Sequence, residues 1–145
     1  MRNCYSHGFD TSKKFAVIIN GVDESIFYKK TSAQYSTKLK IVATSWSSNL
    51  NKGFELYRYV DNYLDFDKYD VTFIGNSPID FRNIKKFPPL PSADLAVELR
   101  KHDIYLTGSI NDPCSNALIE AMCAGLFPVA IDSGGHPEIL NEFGI

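Results

Sequence analysis

Cysteine is scarce, no long apolar run exists, and the last third of the chain has no cationic side chain. The three cysteines, Cys4, Cys114 and Cys123, show neither paired spacing nor a CxxC, so neither a disulfide framework nor a zinc site is expected. His7, His102 and His136 are scattered without ligand-like spacing, and no metal is expected. No apolar stretch reaches the roughly 18 residues that cross a bilayer, and the start, MRNCYSHGFD, lacks the apolar centre of a signal peptide. A cytoplasmic protein without a transmembrane segment is the expectation. GxGxxG, P-loop, HExxH and GxSxG patterns are all missing, which disfavours a dehydrogenase in particular. A net charge of −2 argues against a nucleic-acid partner. All fifteen Lys and Arg lie at or before Lys101. If the C-terminal third binds an anion, its cation must come from elsewhere in the fold.

What is present is ordinary for a globular domain. The chain has 145 residues, 44% hydrophobic and 22% charged, enough for one core. Short β-branched runs occur at Phe15 to Asn20, Leu39 to Ser45, Asp70 to Gly75, Asp103 to Ser109 and Phe127 to Asp132. They read as buried parallel strands. Helical patterns alternate with them. Lys52 to Leu64 places Leu56, Tyr57, Val60, Tyr63 and Leu64 on one face, and Ser92 to His102 starts at a candidate N-cap, Ser92, and ends in basic residues. A third helix is expected from Ser115 to Gly125, with the glycine just past its end, and a short fourth after GGHPEIL. Residues 1–14 are expected to be loosely held, and Lys85 to Asp94 to be a rigid Pro-rich connection. The sum is an open, doubly wound α/β sheet over residues 15–145. Five turns follow its strands: INGVD, SWSSNLNKG, IGNSP, TGSINDPCSN and DSGGHPE. They should converge at the carboxyl edge of the sheet, where such folds hold ligands.

Within Ala117 to Ile131, Glu120 is the only charged side chain. Helical spacing puts Ala117, Leu118, Ala121, Met122 and Gly125 on one face and Glu120, with Asn116, on the other. A carboxylate among apolar neighbours is costly unless water or a ligand supplies donors. Glu120 is therefore either an ordinary solvated helix residue or one that looks into a polar ligand.

The ordered series INGVDESIF, NKGF, FIGNSP, DIYLTGS, DPCSNALIEAMCAGLFPVA and DSGGHPEIL resembles the C-terminal, donor-binding half of family 4 glycosyltransferases of the two-Rossmann-domain (GT-B) architecture. The resemblance implies a retaining enzyme that needs no metal and takes a nucleotide-diphospho-sugar. The spacing of Asp112 and Glu120 is that of the family's acid-x7-acid signature, with aspartate where glutamate is usual. By the resemblance, Asp112 contacts the transferred sugar and Glu120 accepts from the ribose hydroxyls. Lys52 faces the diphosphate, but Ser47 stands near the place of the family's usual arginine, so Lys52 acts alone or Arg82 substitutes. Ser109, Cys114, Ser115, Asn116 and Ala117 would seat the diphosphate or the sugar at a helix start, and Gly134 and Gly135 would let backbone amides approach. Glu138 is a structural or a donor-site acid, Asn20 to Asp23 mark the end of an interdomain linker, and the base would meet backbone between Ile84 and Pro89 and the turn at Gly75.

The family's acceptor-binding domain has no counterpart in these residues. A glycan or other acceptor would have to be held by a missing N-terminal domain or partner chain, and these residues alone are expected to transfer nothing. Two other readings remain: a non-catalytic nucleotide-sugar-binding module, suggested by Asp112 and Ser47, and a sugar-nucleotide epimerase of similar architecture.

Overall fold

The computed structural model describes residues 20–29 and 36–141. Residues 1–14 and Phe15 to Ile19 of the first expected strand lie outside them, and Asn20 is not in a strand. The strands β1 (Leu39–Ser45), β2 (Tyr69–Gly75), β3 (Lys85–Phe87), β4 (Ile104–Thr107) and β5 (Phe127–Ala130) form one sheet in the order β3-β2-β1-β4-β5. Every pairing among these strands is parallel. The helices are α1 (Phe54–Tyr63), α2 (Ser92–Leu99), α3 (Asn116–Cys123) and α4 (His136–Asn141), with a 3-10 turn at Leu50–Lys52. The fold is the expected α/β, Rossmann-like sheet.

Side chains alternate across the strands and build a core on each face. Ile41 and Ala43 of β1 and Val71 and Phe73 of β2 meet Phe54 and Tyr57 of α1. Val42, Ile74 and Tyr105 point the other way, to Leu95 and Leu99 of α2, Leu118 and Ile119 of α3 and Ile139 of α4. Burial on both faces is why these strands read as nearly continuous apolar runs. On the α1 face the rings of Phe54, Tyr57, Phe73 and Phe81 pack in contact, with successive centroids between 5.3 Å and 6.1 Å apart. Such pairs add about 0.5–1.5 kcal/mol beyond their buried area.

Several local expectations need correction. Tyr63 is 73% exposed rather than core-facing and stacks on Tyr59 at 4.8 Å between centroids. Ser92 is the first helical residue, not the cap: Pro91 holds that position and no side chain caps α2. Arg100 and Lys101 fall just beyond its last turn. On α3, Ile119 joins Leu118 and Ala121 in the core while Ala117 and Met122 are only partly buried. That rotation brings Glu120 to a half-buried position instead of the open side. The connection expected at Lys85 to Asp94 contains β3, a three-residue edge strand with every residue exposed, so no apolar pattern marked it. Gly125, at φ +92°, does follow the end of α3 as expected.

Candidate functional site

The sheet order reverses beside β1: the chain runs β1 to β2 to β3 outward, then returns to place β4 on the other side of β1. At such a switch point the segments leaving the two strands diverge and leave a crevice at their carboxyl ends. A cavity of about 360 Å³ lies there. Its walls are Thr44 to Ser47 after β1, Lys52, then Tyr105, Thr107 and Ser109 along β4, and Asp112 with Cys114 to Ala117 at the start of α3. Residues 70 positions apart in sequence thus share one wall because β1 and β4 are neighbours.

Lys52 reaches this crevice through a close backbone contact. It is followed by Gly53 at φ +74°, where an added Cβ would sit 1.9 Å from the carbonyl oxygen of Gly108. Only glycine lets the two chains approach this closely. The Ile110 amide donates to the Asn51 carbonyl at 2.6 Å, which ties the two loops together. Lys52 Nζ then donates to Asp112 Oδ2 at 3.3 Å. The lysine and aspartate side chains are 33% and 16% exposed, so the pair is partly shielded from water. The cation missing from the C-terminal third is therefore delivered from α1's entry turn.

Asp112 is held from behind by the turn after β5. Its carbonyl accepts the Gly135 amide at 2.8 Å, and the Asn111 amide donates to Ser133 Oγ at 3.0 Å. Added Cβ atoms would lie 2.3 Å from the Asp112 oxygen at Gly134 and 2.1 Å from the Pro113 oxygen at Gly135. These glycines support Asp112 from below and are not among the cavity's walls. The Gly135 amide is already engaged. Next to them His136 is fully buried, its Nδ1 donating to the Ile131 carbonyl at 3.1 Å while Nε2 has no partner among the described residues.

The amino end of α3 opens into the cavity. Ser115 is its N-cap in extended backbone but makes no side-chain capping bond, and with no other capping side chain among the described residues, its first amides and the positive end of its dipole face the space. Asn20 Nδ2 donates to Asn116 Oδ1 at 2.8 Å, so Asn20, expected to be only a linker residue, reaches the site. Glu120, one turn along, is not among the cavity's walls. Burial raises its carboxyl above the ordinary range, and among the described residues no donor reaches it. Tyr105, on β4 and in the cavity's wall, has its hydroxyl paired with Thr44 Oγ1 at 2.9 Å. Burial first, then the neighbouring Tyr57, pushes Tyr105 well above the usual phenol range.

Gly75 belongs to a second, neighbouring cavity of about 570 Å³, lined by Ser48, Gly75 to Pro78 and Lys86 to Pro89. Gly75, at φ +132°, lets the Asn76 amide reach the Ser45 carbonyl at 2.8 Å. Ile84 is buried in the core and lines neither cavity. Its amide, with those of Arg82 and Asn83, donates at 2.8 Å to the carboxylate of Asp61 in the last turn of α1. Sequence reasoning missed Asp61, because a lone aspartate on an amphipathic helix carries no signal of its distant partners. Arg82, the expected stand-in for the arginine missing at Ser47, precedes β3 and lines neither cavity. Ser47 lines the first cavity, with its hydroxyl accepting from the Asn49 amide at 3.1 Å. Glu138 is exposed in the first turn of α4.

The family model described as "Glycosyl transferases group 1" matches residues 82–144. No curated protein matches the chain. Among solved structures, sucrose-phosphate synthase from Thermosynechococcus elongatus superposes with a TM-score of 0.71 at 16% identity, over 92% of this chain and 39% of that one. The likeness is one of fold, and the chain spans about two fifths of that protein's length.

Proposed function

We propose that this domain is the nucleotide-sugar donor-binding, C-terminal half of a retaining family 4 glycosyltransferase of GT-B architecture, which moves a sugar from a nucleotide-diphospho-sugar to a glycan or other acceptor. The observation that carries the reading is the meeting of Lys52, Asp112 and the uncapped start of α3 around one cavity at the switch point. The matched stretch, residues 82–144, adds support, since it contains Asp112, Glu120, Gly134 and Gly135. It leaves out Lys52 and Ser47, which rest on the resemblance and on their place in the cavity.

In this reading the diphosphate lies against α3's free amides and Lys52. These donors oppose the charge that builds on the leaving group as the glycosidic bond breaks, the largest contribution in most such sites. Lys52 is held at 3.3 Å from Asp112, so the diphosphate shares the ammonium with that carboxylate. Asp112 takes a sugar hydroxyl and Glu120 the ribose. A half-buried carboxyl with no donor among the described residues is an acceptor short of partners, which a diol supplies. The base enters the second cavity, among Phe87, Pro88 and Pro89. No metal enters the scheme, and the acceptor belongs to protein outside these residues, so the domain alone binds without transferring.

The test is calorimetry with UDP, GDP, ADP and their glucose or mannose conjugates. Glu120→Gln should weaken nucleotide and nucleotide sugar alike by about 1.5–3 kcal/mol, the worth of bonds to a charged group. A 2′-deoxy ligand should lose affinity for the native protein and much less for the variant, since one bond cannot be removed twice. If Glu120→Gln leaves every ligand untouched in a folded protein, Glu120 is a plain helix residue and the donor placement fails.

A second reading, a nucleotide-sugar-binding module without catalysis, is favoured by Ser47. A serine hydroxyl is neutral, so Ser47 adds no charge beside Lys52 where the family's arginine would. Under that reading the donor binds, but joining the domain to an acceptor-binding half gives no transfer.

A further inference from the structure

The sequence has one tryptophan, Trp46, and it sits in an unusual place for a large apolar side chain. It is 66% exposed, yet it forms part of the wall of the cavity that holds Lys52 and Asp112. Exposing an indole forgoes the stabilisation its burial would give. Its backbone is also fixed. The Trp46 carbonyl accepts from Asn76 Nδ2 at 2.7 Å and the preceding Ser45 carbonyl accepts from the Asn76 amide at 2.8 Å. Ser45 Oγ closes the turn on the Ser47 carbonyl at 2.6 Å. The ring is thus mounted on a rigid base at the cavity's mouth.

Both cavities carry hydroxyls and an ammonium, Lys86 in the larger and Lys52 in the smaller. The larger one, with Phe87 and three prolines, offers flat surface of its own to a nucleobase. Of the two linings, only that beside Trp46 contains a carboxylate, Asp112. An aromatic face beside a carboxylate matches a pyranose, which has one apolar face of C–H groups and an equator of hydroxyls. We propose that Trp46 is the platform on which the ring of the transferred sugar lies, with Asp112 reading its hydroxyl edge, so that Trp46 positions the sugar and sets which sugars are accepted. The proposal rests on the donor-site reading above.

Because Trp46 is the only tryptophan, fluorescence of the full 145-residue chain excited at the red edge of the indole band, where its eight tyrosines absorb little, reports on this position alone. The probes are UDP-glucose, GDP-mannose and ADP-glucose, each beside its sugar-free diphosphate, with calorimetry in parallel. The expected result is that the bound nucleotide sugar shields Trp46 from acrylamide, and the matching diphosphate does not. Trp46→Ala should remove about tenfold in affinity for the nucleotide sugar and leave the diphosphate within about twofold. Trp46→Phe, which keeps an aromatic face, should recover most of the loss. Equal shielding by both ligands, with Trp46→Ala weakening both equally, would put the ring against the nucleotide and overturn the proposal. So would binding measured by heat with no effect on Trp46 at all. If no probe gives heat with the native protein, the donor-site reading itself falls and takes this inference with it.

Discussion

Removing the Asp61 carboxylate should be among the most destabilising single changes in this domain, although the residue touches no cavity. Asp61 is 4% exposed, and its oxygens accept amides from Arg82, Asn83 and Ile84, each at 2.8 Å. Asn83 Nδ2 returns a bond to the Asp61 carbonyl at 2.7 Å. Bonds to a charged acceptor contribute about 1.5–3 kcal/mol each, but three on one group do not add fully. Asp61→Ala should therefore cost about 3–5 kcal/mol, against a total of about 5–15 kcal/mol for a domain of this kind. Asp61→Asn keeps one oxygen for Asn83 and Ile84 but turns an amide toward the Arg82 N–H, for a loss of about 2–3 kcal/mol.

The pH dependence of this loss is also determined. Burial alone would raise the Asp61 carboxyl, but the amides of Arg82, Ile84 and Asn83, helped by the Arg82 charge, outweigh it and hold it below the usual range. The unfolded chain then binds the proton more readily than the folded one. The stabilisation is present above the unfolded aspartate value of about 3.9 and is lost as pH falls through the lower folded value. Urea melts at about pH 7 and about pH 3 should show the gap between native protein and Asp61→Asn narrowing in acid. Variants that stay within about 0.5 kcal/mol of native at neutral pH, or a gap unchanged in acid, would refute the account.

The other expectations concern the cavity. Lys52→Ala should weaken whichever nucleoside diphosphate binds by about tenfold or more while leaving its nucleoside nearly unchanged, because only the former carries the charge that Lys52 meets; equal losses in calorimetry would remove Lys52 from the diphosphate site. Gly135→Ala would place a Cβ 2.1 Å from the Pro113 oxygen. Relief requires breaking the bond from the Gly135 amide to the Asp112 carbonyl, so a loss of about 2 kcal/mol or more is expected in a urea melt. A loss near zero would mean that this turn does not hold Asp112.

Much of this architecture was legible in local chemistry. Short β-branched runs alternating with amphipathic segments dictate buried parallel strands with crossover helices, because two-face burial leaves that imprint on each run. The order of turns placed Ser109, Asp112 and Cys114 to Ala117 at one edge, and the structure finds them in one wall. The NKG run, Asn51 to Gly53, pointed to Lys52 through the resemblance, but its reason is spatial: Gly53 lies on Gly108, far along the chain. β3 was hidden because an exposed edge strand of three residues buries nothing. Tyr63 was placed on the apolar stripe of α1, yet the inward place in its last turn is held by Asp61, with Leu64 beyond it against the same cluster, and the Asp61 carboxylate is bound by three amides of a remote loop. Glu120 could not be assigned a burial from its spacing, since a small rotation of α3 exchanged Ala117 for Ile119 in the core and carried the glutamate inward. Sequence by itself determined the buried strands β1, β2, β4 and β5, the helical segments α1 to α3 and which turns gather at the binding edge, because hydrophobic period and turn chemistry act over a few residues. Only the tertiary structure decided that Lys52 meets Asp112, that Asp61 braces β3 and that Trp46 stands open at the cavity's mouth, because these depend on which strands became neighbours.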